Sequence, residues 1–334
     1  MPAPAAIGSA VVNLPTHADV VAAAARIAPL AVKTPLLTSP ALDELLGGRV
    51  LLKAEVFQRT GSFKFRGACN FVRQIPEEVR PKGVVAHSSG NHAQGVAAAA
   101  ALHGMPATIV MPSDAPAVKR RRTEAYGARV VAYDRHRESR EEISAAIAAD
   151  TGATPVPPYD HPWTIAGQGT AGLEMVEQAH SAGADLDVVL IPCSGGGLTA
   201  GIALALEGVS PGTRVVTVEP EAFDDTARSL DAGRRLGADP SGASICDALL
   251  VPTPGEITFQ INRRLVERGV AVDDHEVRRA MRYAFEELKV VVEPGGAAGL
   301  AAVLSGAIDV TGRVVGVVLS GGNVDPELFA SAIA

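Results

Sequence analysis

The chain has 334 residues, 47% of them hydrophobic, 20% charged and only 4% aromatic, with a formal net charge of −7. That balance excludes a mainly disordered chain. The acidic excess and scattered basic residues argue against a nucleic-acid partner, and no uncharged apolar stretch reaches membrane-spanning length.

The length allows one large domain or two modest ones sharing a core. A core built from Ala, Val, Leu and Ile suits buried parallel strands covered by helices. The three cysteines, Cys69, Cys193 and Cys246, are far apart and form no CxxC pair. Neither a disulfide framework nor a zinc site is therefore expected, and a reducing cytoplasm fits.

The first residues are rich in Ala and Pro and are expected to be loose. Met1 to Leu14 lacks the basic start and apolar run of a signal peptide. Thr16 reads as the N-cap of a helix reaching about Leu30. Val50–Glu55 and Gly83–His87 read as strands. Asn91–His103 reads as a small-residue helix closed by Gly104. A strand at Ala107–Met111, a helix at Pro116–Tyr126, a strand at Arg129–Tyr133 and a helix at Glu138–Asp150 follow. The basic run Lys119 to Arg122 opens the first of these helices and reads as a solvated helix face.

The second half repeats the alternation: helix Trp163–Ala182, strand Val188–Pro192, helix Leu198–Glu207 and strand Arg214–Glu219. Asp274–Leu288 predicts an amphipathic helix capped by Asp274. Gly296–Leu304 is a small-residue helix and Val314–Leu319 a last buried strand. This spacing implies parallel sheets with right-handed crossovers. The Pro-rich stretch Thr154–Pro162 is the boundary candidate. The predicted division is a small domain, 62–160, inserted in a large one made of 1–61 and 161–334.

Five polar segments sit beside or between these elements. Thr60-Gly61-Ser62-Phe63-Lys64-Phe65-Arg66-Gly67-Ala68 places a lysine between two aromatic rings. Desolvation there disfavours the ammonium, and a neutral amine is what condenses with an aldehyde cofactor. On these residues alone a surface lysine early in a helix fits equally well. Ser88-Ser89-Gly90-Asn91-His92 joins a strand to a helix N-terminus, where hydroxyls and free N–H groups can hold a carboxylate. Ser194-Gly195-Gly196-Gly197-Leu198 is a phosphate cradle without P-loop or GxGxxG spacing. Ser320-Gly321-Gly322-Asn323 follows the last strand and reads alone as a tight turn. Glu219, Asp224 and Asp225 fit a divalent-cation site or a solvated acidic turn. A Schiff-base lysine, a phosphate cradle and a carboxylate loop, all at strand ends, could share one cleft.

These segments, together with Ile165-Ala166-Gly167-Gln168-Gly169-Thr170 and Glu293-Pro294, resemble the fold-type II pyridoxal-phosphate enzymes in family order along nearly the whole chain. The resemblance is to the branch of serine/threonine dehydratases (ammonia-lyases) and serine racemases. It implies a tryptophan synthase β-like fold: two open parallel-sheet α/β domains with pyridoxal 5′-phosphate in the cleft between them. It implies that Lys64 joins the cofactor as a Schiff base and moves the α-proton, with Ser89 as acid/base on the opposite face. Phe63 would cover the ring, Asn91 contact its phenolic oxygen, Ser194, Gly195, Gly196, Gly197 and Leu198 hold the phosphate, and Ser320 meet the pyridine nitrogen with Glu293 nearby. Ser88, Ser89, Gly90, Asn91 and His92, with Arg140, would hold the substrate carboxylate. Glu219, the Phe223 carbonyl and Asp225 match a divalent-cation site, for Mg²⁺ or a similar ion, found in part of the family.

The chain departs from the pattern at Cys246-Asp247-Ala248, where relatives carry Ala-Asp-Gly. It departs again at Pro252 to Phe259, and at Tyr159-Asp160, where some relatives place an asparagine. The implied reaction is dehydration and deamination of L-threonine or L-serine to a 2-oxo acid and ammonia. The alternatives are a serine- or aspartate-type racemase, a 3-hydroxyaspartate dehydratase, and a non-catalytic ligand-binding protein. The last would be expected to lack the lysine or the glycine loop, and both are present. Lys64 followed by Phe65-Arg66-Gly67 argues against sulfur-transferring relatives, whose lysine is followed by Asp-Arg. The missing GxGxxG argues against a nicotinamide oxidoreductase. With no regulatory domain after Ala334, feedback control by a branched-chain amino acid is not expected. A homodimer is the expected assembly.

Overall fold

The computed structural model describes residues 13–115 and 117–334. The expected loose start, residues 1–12, and the Pro116 end of one predicted helix lie outside them. In chain order the elements are α1 (His17–Ile27), β1 (Leu36–Thr38), α2 (Pro40–Leu46), β2 (Arg49–Ala54), α3 (Lys64–Arg73), β3 (Val84–His87), α4 (Asn91–Ala101), β4 (Ala107–Pro112), α5 (Ala117–Ala125), β5 (Arg129–Tyr133), α6 (Arg140–Thr151) and β6 (Thr154–Pro155). There follow α7 (Pro162–Ser181), β7 (Val188–Pro192), α8 (Gly197–Val209), β8 (Arg214–Pro220), α9 (Asp225–Ala232), α10 (Glu256–Leu265), β9 (Arg268–Val272), α11 (Asp274–Glu286), α12 (Pro294–Leu304), β10 (Val314–Leu319) and α13 (Pro326–Ile333).

The strands form two sheets, in the orders β1-β2-β10-β7-β8-β9 and β5-β4-β3-β6. All neighbours are parallel except β1, which runs antiparallel to β2. The larger sheet is buried on both faces, as continuous apolar strands require. Val50, Leu52, Val315 and Val317 pack toward α11 and α12 on one side. Leu51, Val189, Ile191 and Val318 pack toward α7 and α8 on the other. Val84, Ala86, Ile109 and Met111 of the smaller sheet pack on α3 and α4. α7 and α8 touch through glycine: a Cβ on Gly169 would lie 2.4 Å from the Gly201 carbonyl oxygen. No helix among the described residues is long and apolar enough to cross a membrane.

The predicted strands and helices are present within a few residues, and α1 begins where expected, with the Thr16 hydroxyl donating to Asp19 at 2.7 Å. One cap is corrected. Asp273, not Asp274, caps α11, accepting from Glu276 N at 2.7 Å while Glu276 accepts from Asp273 N at 3.0 Å. The Asp274 carboxylate turns instead to Ser244 Oγ and Ile245 N. Eight further elements, β1, α2, α3, β6, α9, α10, β9 and α13, have no counterpart among the predicted ones. β1 has three residues, and β9 carries Arg268 and Gly269, so neither has a run of alternation to read. α10 draws its cap from far away: Asp160 accepts from Glu256, Ile257 and Thr258 N–H groups at 2.9, 2.9 and 3.0 Å.

Candidate active site

Parallel strands collect loops at their carboxyl ends, and four of the five segments read from the sequence meet there. After β2 the chain makes two 3-10 turns, Glu55–Phe57 and Arg59–Gly61, and reaches Lys64 at the start of α3. This segment is joined to the loop after β10. Phe63 N donates to the Ser320 carbonyl at 3.1 Å, Gly322 N donates to the Gly61 carbonyl at 2.9 Å, and Ser62 bridges Gly321. Lys64 Nζ donates to the Pro158 carbonyl at 2.9 Å and lies 5.1 Å from the centre of the Phe63 ring. Desolvation lowers its pKa to about 8, against an opposing pull from Glu293. At about pH 7 that leaves roughly a tenth of the amine neutral, far more than an ordinary lysine has, and the neutral form is what an aldehyde-binding amine needs.

The Ser88–His92 loop joins β3 to α4. A Cβ on Gly95, one turn into α4, would lie 3.2 Å from the Lys64 backbone, so α4 runs directly against the lysine. Ser88 Oγ accepts from Gly90 N at 3.2 Å. Asn91 Nδ2 donates to Glu293 Oε1 at 2.6 Å. His92 is placed differently from a direct carboxylate ligand. Its ring is buried with Nε2 2.8 Å from the Val156 carbonyl, and burial drops its pKa to about 3. The neutral ring therefore donates to Val156, and what His92 offers an anion is its backbone N–H in the first turn of α4. Ser89 is partly exposed on the same loop.

Ser194 to Gly197 lead from β7 into α8. Ser194 Oγ accepts from Val251 N at 3.1 Å. The Gly195 and Gly196 carbonyls are taken by Thr258 Oγ1 and Asn262 Nδ2 of α10, at 2.6 and 3.4 Å. A Cβ would have no room: 2.5 Å from the Tyr159 ring at Gly195, 2.8 Å from Asn262 at Gly196, and 2.6 Å from Gln168 Oε1 at Gly197. Gly196 also has φ +89°, which favours glycine. Gln168 Oε1 and Thr199 Oγ1 are buried near this loop without a partner. Glycine-only backbone, a helix N-terminus and orphaned polar atoms suit a bound phosphate. The Leu198 side chain goes into the core, so only its N–H can serve.

Glu293 is buried, and desolvation first, then Asp247, raises its pKa to about 7. Ser320 is buried at the end of β10. The acidic group lies at the end of the neighbouring strand, β8, and Thr226 beside it donates to the Ser194 carbonyl at 3.4 Å. Glu219 accepts from Thr226 N and Ala227 N at 3.0 and 2.8 Å, and both Asp225 carboxylate oxygens are buried without a partner. Burial pushes Glu219 up to about 8 and Asp225 to about 7. No cluster of three or more His, Cys, Asp or Glu side chains arranged for a metal occurs among the described residues. Arg140, at the start of α6, is half-exposed and bonds Glu141 at 2.8 Å; its charge reaches His87 and Tyr159.

The sequence profile described as "Pyridoxal-phosphate dependent enzyme" matches residues 27–321. The chain belongs to this family. It is 44% identical over 321 residues, 96% of its length and 97% of the relative's, to a Saccharomyces cerevisiae protein named L-threo-3-hydroxyaspartate ammonia-lyase. Among solved structures, a threonine deaminase from T.th. superposes with a TM-score of 0.88 at 47% identity, covering 93% of this chain and 99% of that one. Maize serine racemase superposes with a TM-score of 0.90 at 40% identity, covering 96% and 97%. The fold is the expected fold-type II arrangement of parallel-sheet α/β structure. Sequence reasoning left three residues without a role that the structure sets into the site. Asn323 bonds Asn91, Tyr159 packs on Gly195, and Gln168 faces Gly197. All three lay in segments the sequence had already marked, but their partners are distant in the chain.

Proposed function

We propose that this protein is a pyridoxal-phosphate-dependent ammonia-lyase whose principal substrate is a 3-hydroxyaspartate, releasing water and then ammonia to leave a 2-oxo acid. The observation that carries the lyase reading is the Lys64 amine, lowered to about 8, beside the α4 loop and the glycine cradle. The dicarboxylate reading is supported by Arg140, whose charge reaches His87 at the mouth of the substrate loop, and by the named activity of the yeast relative. L-threonine and L-serine, the leading expectation from sequence, take second place.

Lys64 would hold the cofactor, with Ser194 to Leu198 on its phosphate, Phe63 against its ring, and Asn91, Glu293 and Ser320 around its edge. When bound, the cofactor supplies an electron sink for the pair left at Cα. Lys64 takes the α-proton from one face. The first-turn N–H groups of α4 and the Ser88 and Ser89 hydroxyls hold the α-carboxylate, leaving the β-hydroxyl free to depart. Ser89, as proton donor on the other face, supports racemisation as a second reading. Glu219, Asp225 and the Phe223 carbonyl would hold a divalent cation; the two orphaned Asp225 oxygens support this. We read 62–160 as the small domain: the four-stranded sheet takes all its strands from that span, and the six-stranded sheet takes all of its strands from outside it.

The test is to supply L-serine, D-serine, L-threonine and the 3-hydroxyaspartates and to measure 2-oxo acid and ammonia. Fastest turnover of a 3-hydroxyaspartate to oxaloacetate is the expected result. No 2-oxo acid from any of them, with the cofactor on Lys64, would overturn the lyase reading.

A further inference from the structure

We propose that the basic run Lys119 to Arg122 is a clasp over the active site, in which Lys119 and Arg122 are positioning residues holding α5 and the substrate loop against Asp247 and Asn323. The proposal rests on the assignment of Lys64 as the cofactor lysine.

The run divides by side chain. Arg120 pairs with Glu124 along the helix at 2.9 Å, a solvated contact. Lys119 and Arg122, three residues apart on one face, reach elsewhere. Lys119 Nζ donates to Asp247 Oδ2, and Arg122 donates to Asn323 Oδ1 at 2.9 Å. Both contacts leave the smaller sheet's helices and end on loops of the larger sheet's side. α5 packs on α4, whose first residue is Asn91. The clasp therefore holds the helix that begins at the substrate loop.

The two contacts converge on one carboxylate. By taking Oδ1, Arg122 fixes which way the Asn323 amide points. Its Nδ2 is then left to donate to Thr60 O at 2.6 Å, just before the lysine segment, and to Asn91 Oδ1 at 2.7 Å. Asn91 in turn donates to Glu293 at 2.6 Å. Lys119 and Asp247 act on the same Glu293 electrostatically and with opposite sign. Asp247 is half-exposed while Lys119 is largely covered. A pair of this kind is weak and salt-sensitive, which suits a contact that must part whenever substrate enters and product leaves.

The experiment uses the holoenzyme and the variants Lys119→Asp, Asp247→Lys, their double mutant, and Arg122→Met. One readout needs no turnover: the rate at which hydroxylamine, a small nucleophile, bleaches the bound cofactor. The other is the division of the effect between KM and kcat for the best substrate. Each single variant is expected to speed bleaching and raise KM by about two- to fivefold, with a smaller change in kcat. The charge-swapped double mutant is expected to recover most of both, and salt to speed bleaching of the wild type. Single variants that bleach at the wild-type rate, or a double mutant no closer to wild type than either parent, would overturn the clasp. Faster bleaching in a protein that turns over none of the substrates offered would support the clasp while removing the lyase reading.

Discussion

Arg66 and Glu55 form a wholly buried ion pair two residues beyond Lys64. Nε lies 2.7 Å from Oε2 and NH2 lies 2.9 Å from Oε1, and neither side chain has exposed surface. Glu174 joins Arg66 and Lys53, each at 2.7 Å. Thr34 donates to Glu55 at 2.6 Å, and Lys53 also donates to Thr34 O and Gln178 Oε1. Two cations and two carboxylates thus balance, with every donor directed at an acceptor, as burial of charge demands. The cluster ties β2, α3 and α7 together, and so holds the segment that presents Lys64.

Removing one partner leaves the other charges buried and uncompensated. Arg66→Met is therefore expected to lower folding stability by about 3–5 kcal/mol. Urea unfolding of the cofactor-free protein checks this. A loss under about 1 kcal/mol would mean that the cluster relaxes into solvent.

The glycine cradle predicts a cofactor defect without a folding defect of the same size. Gly195→Ala sets a methyl group 2.5 Å from the Tyr159 ring, which is partly exposed and can shift. Gly196→Ala combines a Cβ 2.8 Å from Asn262 with φ +89°. Both variants are expected to weaken pyridoxal-phosphate binding, Gly196→Ala more, by about tenfold or beyond given ~1–3 kcal/mol of backbone strain. Titration of the cofactor-free proteins, followed by absorbance, measures it. Unchanged affinity in Gly196→Ala would move the phosphate elsewhere.

The acidic site makes a pH-dependent prediction. Without a cation, Glu219 titrates near 8 and Asp225 near 7, above their ordinary 4.5 and 3.8. The folded chain then keeps protons that the unfolded chain has already shed, so this site's contribution to stability falls as pH rises from about 4 to about 8. A divalent cation binds the deprotonated carboxylates and reverses that loss. The rise in Tm on adding Mg²⁺ is expected to be larger at about pH 8.5 than at about pH 6, and to vanish in Glu219→Gln. Equal shifts at both pH values would argue against carboxylate ligands.

The parts legible in the sequence are those in which local chemistry decides the structure. Apolar runs such as Val188–Pro192 and Val314–Leu319 become central parallel strands because nothing else buries them so completely. Loops of Gly, Ser and Asn at their ends become the site because parallel topology gathers them. What stayed hidden depends on partners far along the chain. His92 reads as an anion ligand, and only Val156, 64 residues away, reveals a structural imidazole. Lys119 and Arg122 read as solvent-facing until Asp247 and Asn323 are set opposite them. The α10 cap could not be seen locally either, since it comes from Asp160.

On the proposed reading, with Ser89 as the proton donor on the face opposite Lys64, this residue separates elimination from racemisation. Loss of the β-hydroxyl needs the α-proton removed on the Lys64 side only, whereas inversion needs a donor on the opposite face as well. Ser89→Ala is expected to reduce conversion of L-serine to D-serine by about 10²-fold or more, the usual loss for a missing acid/base. 2-Oxo acid formation from the preferred enantiomer is expected to fall much less. Chiral chromatography beside an oxo-acid assay reads both. Equal losses in the two would make Ser89 a substrate-holding residue and leave the second proton donor to be found.

Arg140 tests the choice of substrate. A cation near the mouth of the loop favours a substrate with a second carboxylate and gives a neutral β-substituent nothing comparable. Replacing it with methionine keeps much of the stem's packing while removing the charge. Charge-assisted hydrogen bonds contribute about 1.5–3 kcal/mol, so Arg140→Met is expected to lower kcat/KM for a 3-hydroxyaspartate by about 10- to 100-fold. For L-serine the expected change is under about threefold, because on the proposed reading the α-carboxylate is held mainly by the first turn of α4. Glu141 complicates the comparison, since its carboxylate holds the guanidinium at 2.8 Å. Glu141→Gln frees the cation and is expected to shift preference the other way, toward the dicarboxylate. Parallel losses on both substrates in Arg140→Met would instead assign Arg140 to the α-carboxylate, and the preference for hydroxyaspartate would then need another source.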